Sequence, residues 1–174
     1  MSTKTWNADT SHTTIGFNVK HMMFSKVNGK FDAYVATIDM ANGDFETAQL
    51  NFEAKSDSIN TNNADRDGHL KSQDFFNAEK NPTVNFKSTK ITAKGGNDFI
   101  VEGDLTMNGI TNPVSLNAEY SGVMKDPWGN DRIALVMTGK VDRHDWDMKW
   151  NSALEAGGVL VSKDVNFDIE TQFI

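Results

Sequence analysis

From His144 to Trp150 the chain alternates without a break: bulky His144, Trp146, Met148 and Trp150 are separated by charged Asp145, Asp147 and Lys149. A period of two sends successive side chains to opposite faces of a β-strand, one apolar and one wet. The same pattern recurs in Ile15, Phe17, Val19 and His21; in Val27, Gly29, Phe31, Ala33 and Val35; in Phe99, Val101, Gly103, Leu105 and Met107; in Val114, Leu116, Ala118 and Tyr120; and in Val165, Phe167, Ile169 and Phe173. Strands of this kind have to wrap their apolar faces around something, either their own side chains or a guest.

About eight segments carry the pattern, at 13–21, 26–40, 47–56, 83–93, 98–107, 113–124, 132–149 and 159–173. Strands this long and numerous predict an all-β antiparallel barrel of about eight strands. Asn42-Gly43, Gly95-Gly96-Asn97-Asp98, Asn108-Gly109 and Asp126-Pro127-Trp128-Gly129 supply the turns, the last with the residues of a type I turn. The apolar parity switches after Val35 and again after Val141, which reads as β-bulges that bend long strands; the alternative is two strands joined at a corner, as in a sandwich. Residues 62–76 break the pattern. Their charge, and Asp67 and Lys71 at helical spacing, predict a short helix at 64–74, after the third strand. Gly68 weakens that helix by about 1 kcal/mol relative to Ala, so Leu70, Phe75 and Phe76 are expected to hold it over one end of the barrel.

The length of 174 residues suits a single domain, 1–174. With 17 basic and 24 acidic residues and no basic run, the chain lacks the clustered Lys and Arg that phosphate backbones need, so no nucleic-acid partner is expected. No apolar run approaches the roughly 18 residues of a membrane span, and the start at Met1-Ser2-Thr3-Lys4-Thr5-Trp6 has no signal-peptide core; this points to the cytoplasm, or to a mature periplasmic protein with its signal removed. Cysteine is absent, which removes disulfides, thiolate metal sites and cysteine nucleophiles.

His12, His21, His69 and His144 lie too far apart for a metal motif, so no metal or cofactor is expected. There is no nucleophile elbow, phosphate loop or dinucleotide fingerprint, and the acidic pairs Asp65/Asp67 and Asp145/Asp147 read as solvated faces. The interior is then the informative part. A barrel of about eight strands either fills with side chains or holds one small ligand. Here large residues (Phe17, Phe31, Phe86, Trp146, Trp150, Phe167) mix with small ones (Gly29, Ala33, Gly103, Ala118) and with adaptable Met107, Met137 and Met148. Val19, His21, Leu105 and Leu135, the six large residues, Met107 and Met148 are the expected ligand lining. An apolar face turned outward would instead suit a homodimer or a protein partner.

Four ordered motifs carry a family resemblance: Asp9-Thr10-Ser11-His12-Thr13-Thr14-Ile15-Gly16-Phe17-Asn18-Val19-Lys20-His21; Arg66-Asp67-Gly68-His69-Leu70-Lys71-Ser72-Gln73-Asp74-Phe75-Phe76; Gly103-Asp104-Leu105-Thr106-Met107-Asn108-Gly109-Ile110-Thr111-Asn112-Pro113-Val114; and Asp126-Pro127-Trp128-Gly129-Asn130-Asp131-Arg132. From about Trp6 to Phe173 the chain resembles the YceI-like family. The resemblance implies a lipocalin-like antiparallel barrel that binds or carries a polyisoprenoid, a quinone tail or a fatty-acid derivative without performing chemistry on it. The head group is then expected near Arg66, His69 or Arg132. Trp146-Asp147-Met148 stands where the family often has a Phe-Gly-Leu-like run, and Ile133-Ala134-Leu135 where Ala-Gly-Phe is common, which implies a shortened or rerouted cavity. Two rivals stay open: an enzyme acting on a lipid held in the barrel, with His21 or His144 as acid or base, and a sealed barrel serving as a protein-interaction module.

Overall fold

The computed structural model describes residues 2–155 and 157–174; Met1, part of the N-terminal segment read above, and Ala156 lie outside the described residues. Among the described residues, twelve strands and one α-helix follow in chain order, with four short 3-10 turns between them: β1 (Thr3–Asn7), β2 (Thr14–His21), β3 (Ser25–Phe31), β4 (Tyr34–Ala41), β5 (Gln49–Lys55), β6 (Ile59–Asn60), α1 (Ala64–Lys71), β7 (Thr83–Gly95), β8 (Asp98–Met107), β9 (Ile110–Tyr120), β10 (Met124–Lys125), β11 (Asp131–Asp142) and β12 (Asp164–Phe173). The strands form one sheet in the order β1-β4-β5-β7-β8-β9-β11-β12-β2-β3-β6, with β10 pairing to β11 off this path. The sheet is antiparallel and curls into a lipocalin-like barrel. Its two flanks meet where Asn7 and Ile174 exchange backbone hydrogen bonds of 2.8 and 2.9 Å.

Apolar alternation becomes burial along the strands. Ile38 and Met40 of β4, Val101, Leu105 and Met107 of β8, and Ile133, Leu135 and Met137 of β11 all point inward. One end of the barrel is plugged by aromatic rings. Phe45 stacks on Tyr120 at 4.7 Å and meets Phe99 edge-on at 4.9 Å, while the Tyr120 hydroxyl donates to the Gly43 carbonyl at 3.2 Å. At the opposite end α1, with Leu70, Phe75 and Phe76, and residues of the loop after β11, among them Met148, Trp150, Leu160 and Val161, wall the interior.

The strand count exceeds eight for identifiable reasons. In β1 only Trp6 is buried, so a single apolar residue among polar ones leaves no period to read, and β6 and β10 have two residues each. The parity switch at Val35 is not a bulge. The chain turns at Asp32–Ala33 and passes from β3 to β4, which lie far apart in the sheet order, and Val35 is left outside, 67% exposed. The switch after Val141 is not a bulge either. β11 ends at Asp142, whose carboxylate accepts the His144 N–H at 2.9 Å and caps a 3-10 turn over Arg143–Trp146. That turn closes with Asp147 in the left-handed region at φ 58°, so 143–150, the most regular alternation in the sequence, is not a strand. The last strand likewise starts at Asp164 rather than 159. True register shifts occur where β7 pairs with β8, between Ser88 and Lys90 and between Ala93 and Gly95.

The helix stops at Lys71, three residues short of the predicted end. Asn63 caps it through Oδ1, which accepts the Arg66 N–H at 2.9 Å. Asp67 does not serve Lys71; its Oδ1 accepts from the Thr61 N–H at 2.8 Å and ties the helix to the preceding strand.

Candidate binding cavity

Two chambers lie inside the barrel and share four walls, Phe17, Phe31, Met107 and Phe167, which form a waist between them. The inner chamber, about 100 Å³, is bounded by Phe86, Leu105 and Leu135 together with Leu116, Met137 and Ile169. It is almost wholly apolar. Thr171 is its buried hydroxyl, and that group donates to the Leu135 carbonyl at 2.9 Å, so it asks nothing of a guest. The outer chamber, about 370 Å³, opens toward α1 and takes Val19, His21, Val27, Met148, Trp150, Leu160 and Val161 into its walls.

The charged groups of the lining gather at the outer chamber. Arg66 faces it from α1, its Nε donating to Thr61 Oγ1 at 2.8 Å and its Nη2 to the Thr61 carbonyl at 2.7 Å. His69 lies one turn on, with Nε2 2.8 Å from Asp74 Oδ2 and its ring edge-on to Trp150 at 4.5 Å and to Phe75 at 5.1 Å. The sequence reading missed a third cation, Arg143. Only 3% exposed, it donates to the carbonyls of Ser162 at 2.9 Å, Met148 at 2.6 Å, Trp150 at 2.9 Å and Val161 at 3.3 Å. Burial lowers its pKa from the usual arginine value, against the pull of Asp142. The guanidinium stays charged and holds the loop that walls the chamber. A charged residue next to the strict alternation gave the only signal, and the strand reading concealed it.

Of the residues expected to line a ligand, Phe17, Phe31, Met107 and Phe167 stand at the waist, Phe86, Leu105 and Leu135 in the inner chamber, and Val19, His21, Met148 and Trp150 in the outer one. Trp146 lines neither. It is 2% exposed, and its indole Nε1 donates to the Leu105 carbonyl at 3.0 Å, which pins the 3-10 turn against β8. Arg132 is also away from the open mouth, at the opposite end of β11 from Arg143. There Nη1 meets Asp9 at 2.7 Å and Nη2 meets Asp126 at 3.7 Å. His144 lines neither chamber and sits 3.7 Å from Asp142. Among the described residues no group of His, Asp and Glu has metal-holding geometry.

The fold and its lining define a class: antiparallel barrels with an elongated apolar interior and a polar mouth. The chain belongs to the YceI-like domain family, whose model it matches over residues 6–173. A UPF0312 protein of Staphylococcus aureus strain N315 is 36% identical over 166 residues, 95% of this chain and 94% of the relative. The crystal structure of a Campylobacter jejuni YceI protein is 33% identical, with a TM-score of 0.76 over 88% of this chain and 87% of that one. A polyisoprenoid binding domain from Saccharophagus degradans shares the fold at 15% identity, with a TM-score of 0.65 over 97% of each chain.

Proposed function

We propose that this protein binds and carries a long-chain amphiphilic lipid, such as a polyisoprenoid, a quinone tail or a fatty-acid amide, and leaves it chemically unchanged. The observation that carries this reading is the run of apolar wall from the Trp150 mouth through the waist to the inner chamber. An extended hydrocarbon fits such a path, with its tail beyond Phe17 and its head near Arg66 and His69. The fold shared with the polyisoprenoid binding domain of Saccharophagus degradans agrees with it. Burying about sixteen methylenes at ~0.8 kcal/mol each yields on the order of 13 kcal/mol gross. Association and chain ordering cost roughly 4–15 kcal/mol, so net affinity depends on how dry and preformed the path is.

Native mass spectrometry of protein purified from its own host, followed by organic extraction, tests this. A recurrent lipid mass is expected, whereas a clean apo mass under gentle conditions favours a sealed barrel. Trp150→Ala should weaken lipid binding by roughly 1–3 kcal/mol and remove much of the ligand-induced change in tryptophan fluorescence. Asp147→Asn, on an exposed side chain, should do neither. His21→Gln should keep affinity within about tenfold, ~1.4 kcal/mol. Release of an altered lipid by the wild type but not by His21→Gln would make the protein an enzyme.

A further inference from the structure

The hairpin between β2 and β3 is built against local preference in two ways. Its tight turn, closed by the Phe24 N–H on the His21 carbonyl at 3.2 Å, places Met22 at φ 54° and Met23 at φ 66°. Two successive left-handed residues are what Asn-Gly supplies without steric cost. The same chain uses Asn-Gly for this purpose twice, at Asn42-Gly43 (φ 53° and 71°) and at Asn108-Gly109 (φ 51° and 72°). At 22–23 it keeps two methionines in a conformation that crowds their Cβ atoms. Just below the turn, Lys20 and Lys26 face each other directly across the ladder, a like-charge pair that repels. The lysine pair does nothing for the fold, and of the two methionines Met23 lies against Gly158 of the neighbouring loop while remaining more than half exposed.

Both make sense at a surface that is apolar at its tip and anionic behind it. Met22 is 55% exposed, Met23 57% and Phe24 93%, and Val159 of the neighbouring loop adds to the same tip at 40%. The backbone joins that loop to the hairpin, since the Met22 N–H donates to the Leu160 carbonyl at 2.7 Å. Between 151 and 162 the loop carries one charged residue, Glu155. On a chain of net charge −7, a lysine pair behind an apolar tip is a local reversal of sign. Phe24, 93% exposed at the end of a hairpin, projects from the sheet, so the tip matches a headgroup layer that apolar side chains can enter rather than a flat protein interface. Its position is equally specific. Val19, His21 and Val27 of this hairpin, with Leu160 and Val161 of the loop, form one wall of the outer chamber.

We infer that the β2–β3 hairpin tip docks the protein on an anionic lipid bilayer, with Met22, Met23 and Phe24 entering the interface, Lys20 and Lys26 meeting the headgroups, and the outer chamber opening onto the membrane. This rests on the lipid-binding reading and adds the route by which a ligand that cannot cross water enters the barrel.

Cosedimentation with vesicles tests it, using phosphatidylcholine with and without phosphatidylglycerol, alongside uptake of a polyprenol delivered either from those vesicles or from cyclodextrin. The wild type is expected to bind the phosphatidylglycerol vesicles more tightly. Phe24→Ser should lower that partition about tenfold or more. Lys20→Glu with Lys26→Glu should lower it about fivefold per charge and abolish the lipid preference. Met22→Asn, which relieves the turn and leaves Met23 against Gly158, should raise the thermal midpoint while lowering vesicle binding, which separates docking from folding. All these variants should take polyprenol from cyclodextrin as the wild type does and take it from vesicles more slowly. Equal vesicle partition of the wild type and Phe24→Ser overturns the proposal, as does a dimer that Phe24→Ser dissociates in the absence of any vesicle binding. Uptake from cyclodextrin without vesicle binding defeats docking alone; vesicle binding without uptake by either route supports docking and defeats the carrier.

Discussion

A Cβ added to Gly29 would stand 2.4 Å from the tip of the Phe17 ring, which lies flat over that glycine on the neighbouring strand. Gly103 has the same relation to Phe86, but a Cβ there would also meet the Lys87 carbonyl at 2.6 Å. The two glycines thus set how far each ring recedes from the cavity. At position 29 the obstacle is the far end of a side chain. Gly29→Ala should push Phe17 into the waist, costing about 1–3 kcal/mol in urea unfolding. A polyprenol series should show the consequence: chains short enough for the outer chamber keep their affinity, and longer ones lose it. At position 103 backbone oxygen cannot swing away, so Gly103→Ala should cost more stability than Gly29→Ala in the same measurement.

At the scale of elements, the described residues of the segment between Asp147 and Lys163 form no named strand or helix, and Arg143 makes the largest set of side-chain hydrogen bonds to it. Arg143 meets carbonyls from both ends of it, Met148 and Trp150 on one side and Val161 and Ser162 on the other. Asn151 Nδ2 also donates to the Val161 carbonyl, at 2.7 Å, so that group keeps a partner without the arginine. Arg143→Met preserves length and apolar contact but leaves the other three without their donor. With roughly 1–3 kcal/mol for each buried group left unpaired, partly relieved by water, a loss on the order of 3 kcal/mol is expected. Hydrogen exchange should locate it. Amides from 148 to 162 should exchange faster while those of β11 and β12 change little, and bound lipid should leave faster because this loop walls the outer chamber.

For the whole molecule, closure at the plugged end depends on charge. The Asp9 carboxyl is held well below the usual carboxylate range by hydrogen bonds from Ser11, Arg132 and His12. Beside it, Asp126 is lowered chiefly by the backbone N–H of Asn130, and Asp131 by Lys125. A carboxylate lowered in the folded state contributes stability that is complete above its unfolded value, about 3.9, and is lost as pH falls toward the folded one. Stability should therefore hold through neutral pH and decline progressively below about pH 4. Urea midpoints across that range check the sign: Asp9→Asn should lower the midpoint at pH 6 and flatten its decline in acid. A variant with the wild-type slope would exclude Asp9 from this closure.

The barrel was legible in the sequence because burial on one face of a strand imposes a period of two, and Phe17, Val101, Leu105, Leu135 and Ile169 keep that period through strands that are real. Turns written as Asn-Gly were equally legible, since left-handed backbone selects residue type locally. Burial at Trp146 and Met148 was readable too, but not the shape of their backbone. Asp142 capping a turn and Arg143 gathering carbonyls from four other residues are contacts between positions up to nineteen apart, and an alternating pattern is indifferent to them. The same limit hid the corner at Asp32–Ala33, the distance of Arg132 from the mouth, and the meeting of Phe17, Phe31, Met107 and Phe167 at one waist. Local sequence sets which side chains leave water; only closure of the sheet sets which of them face one another across a space a ligand can enter.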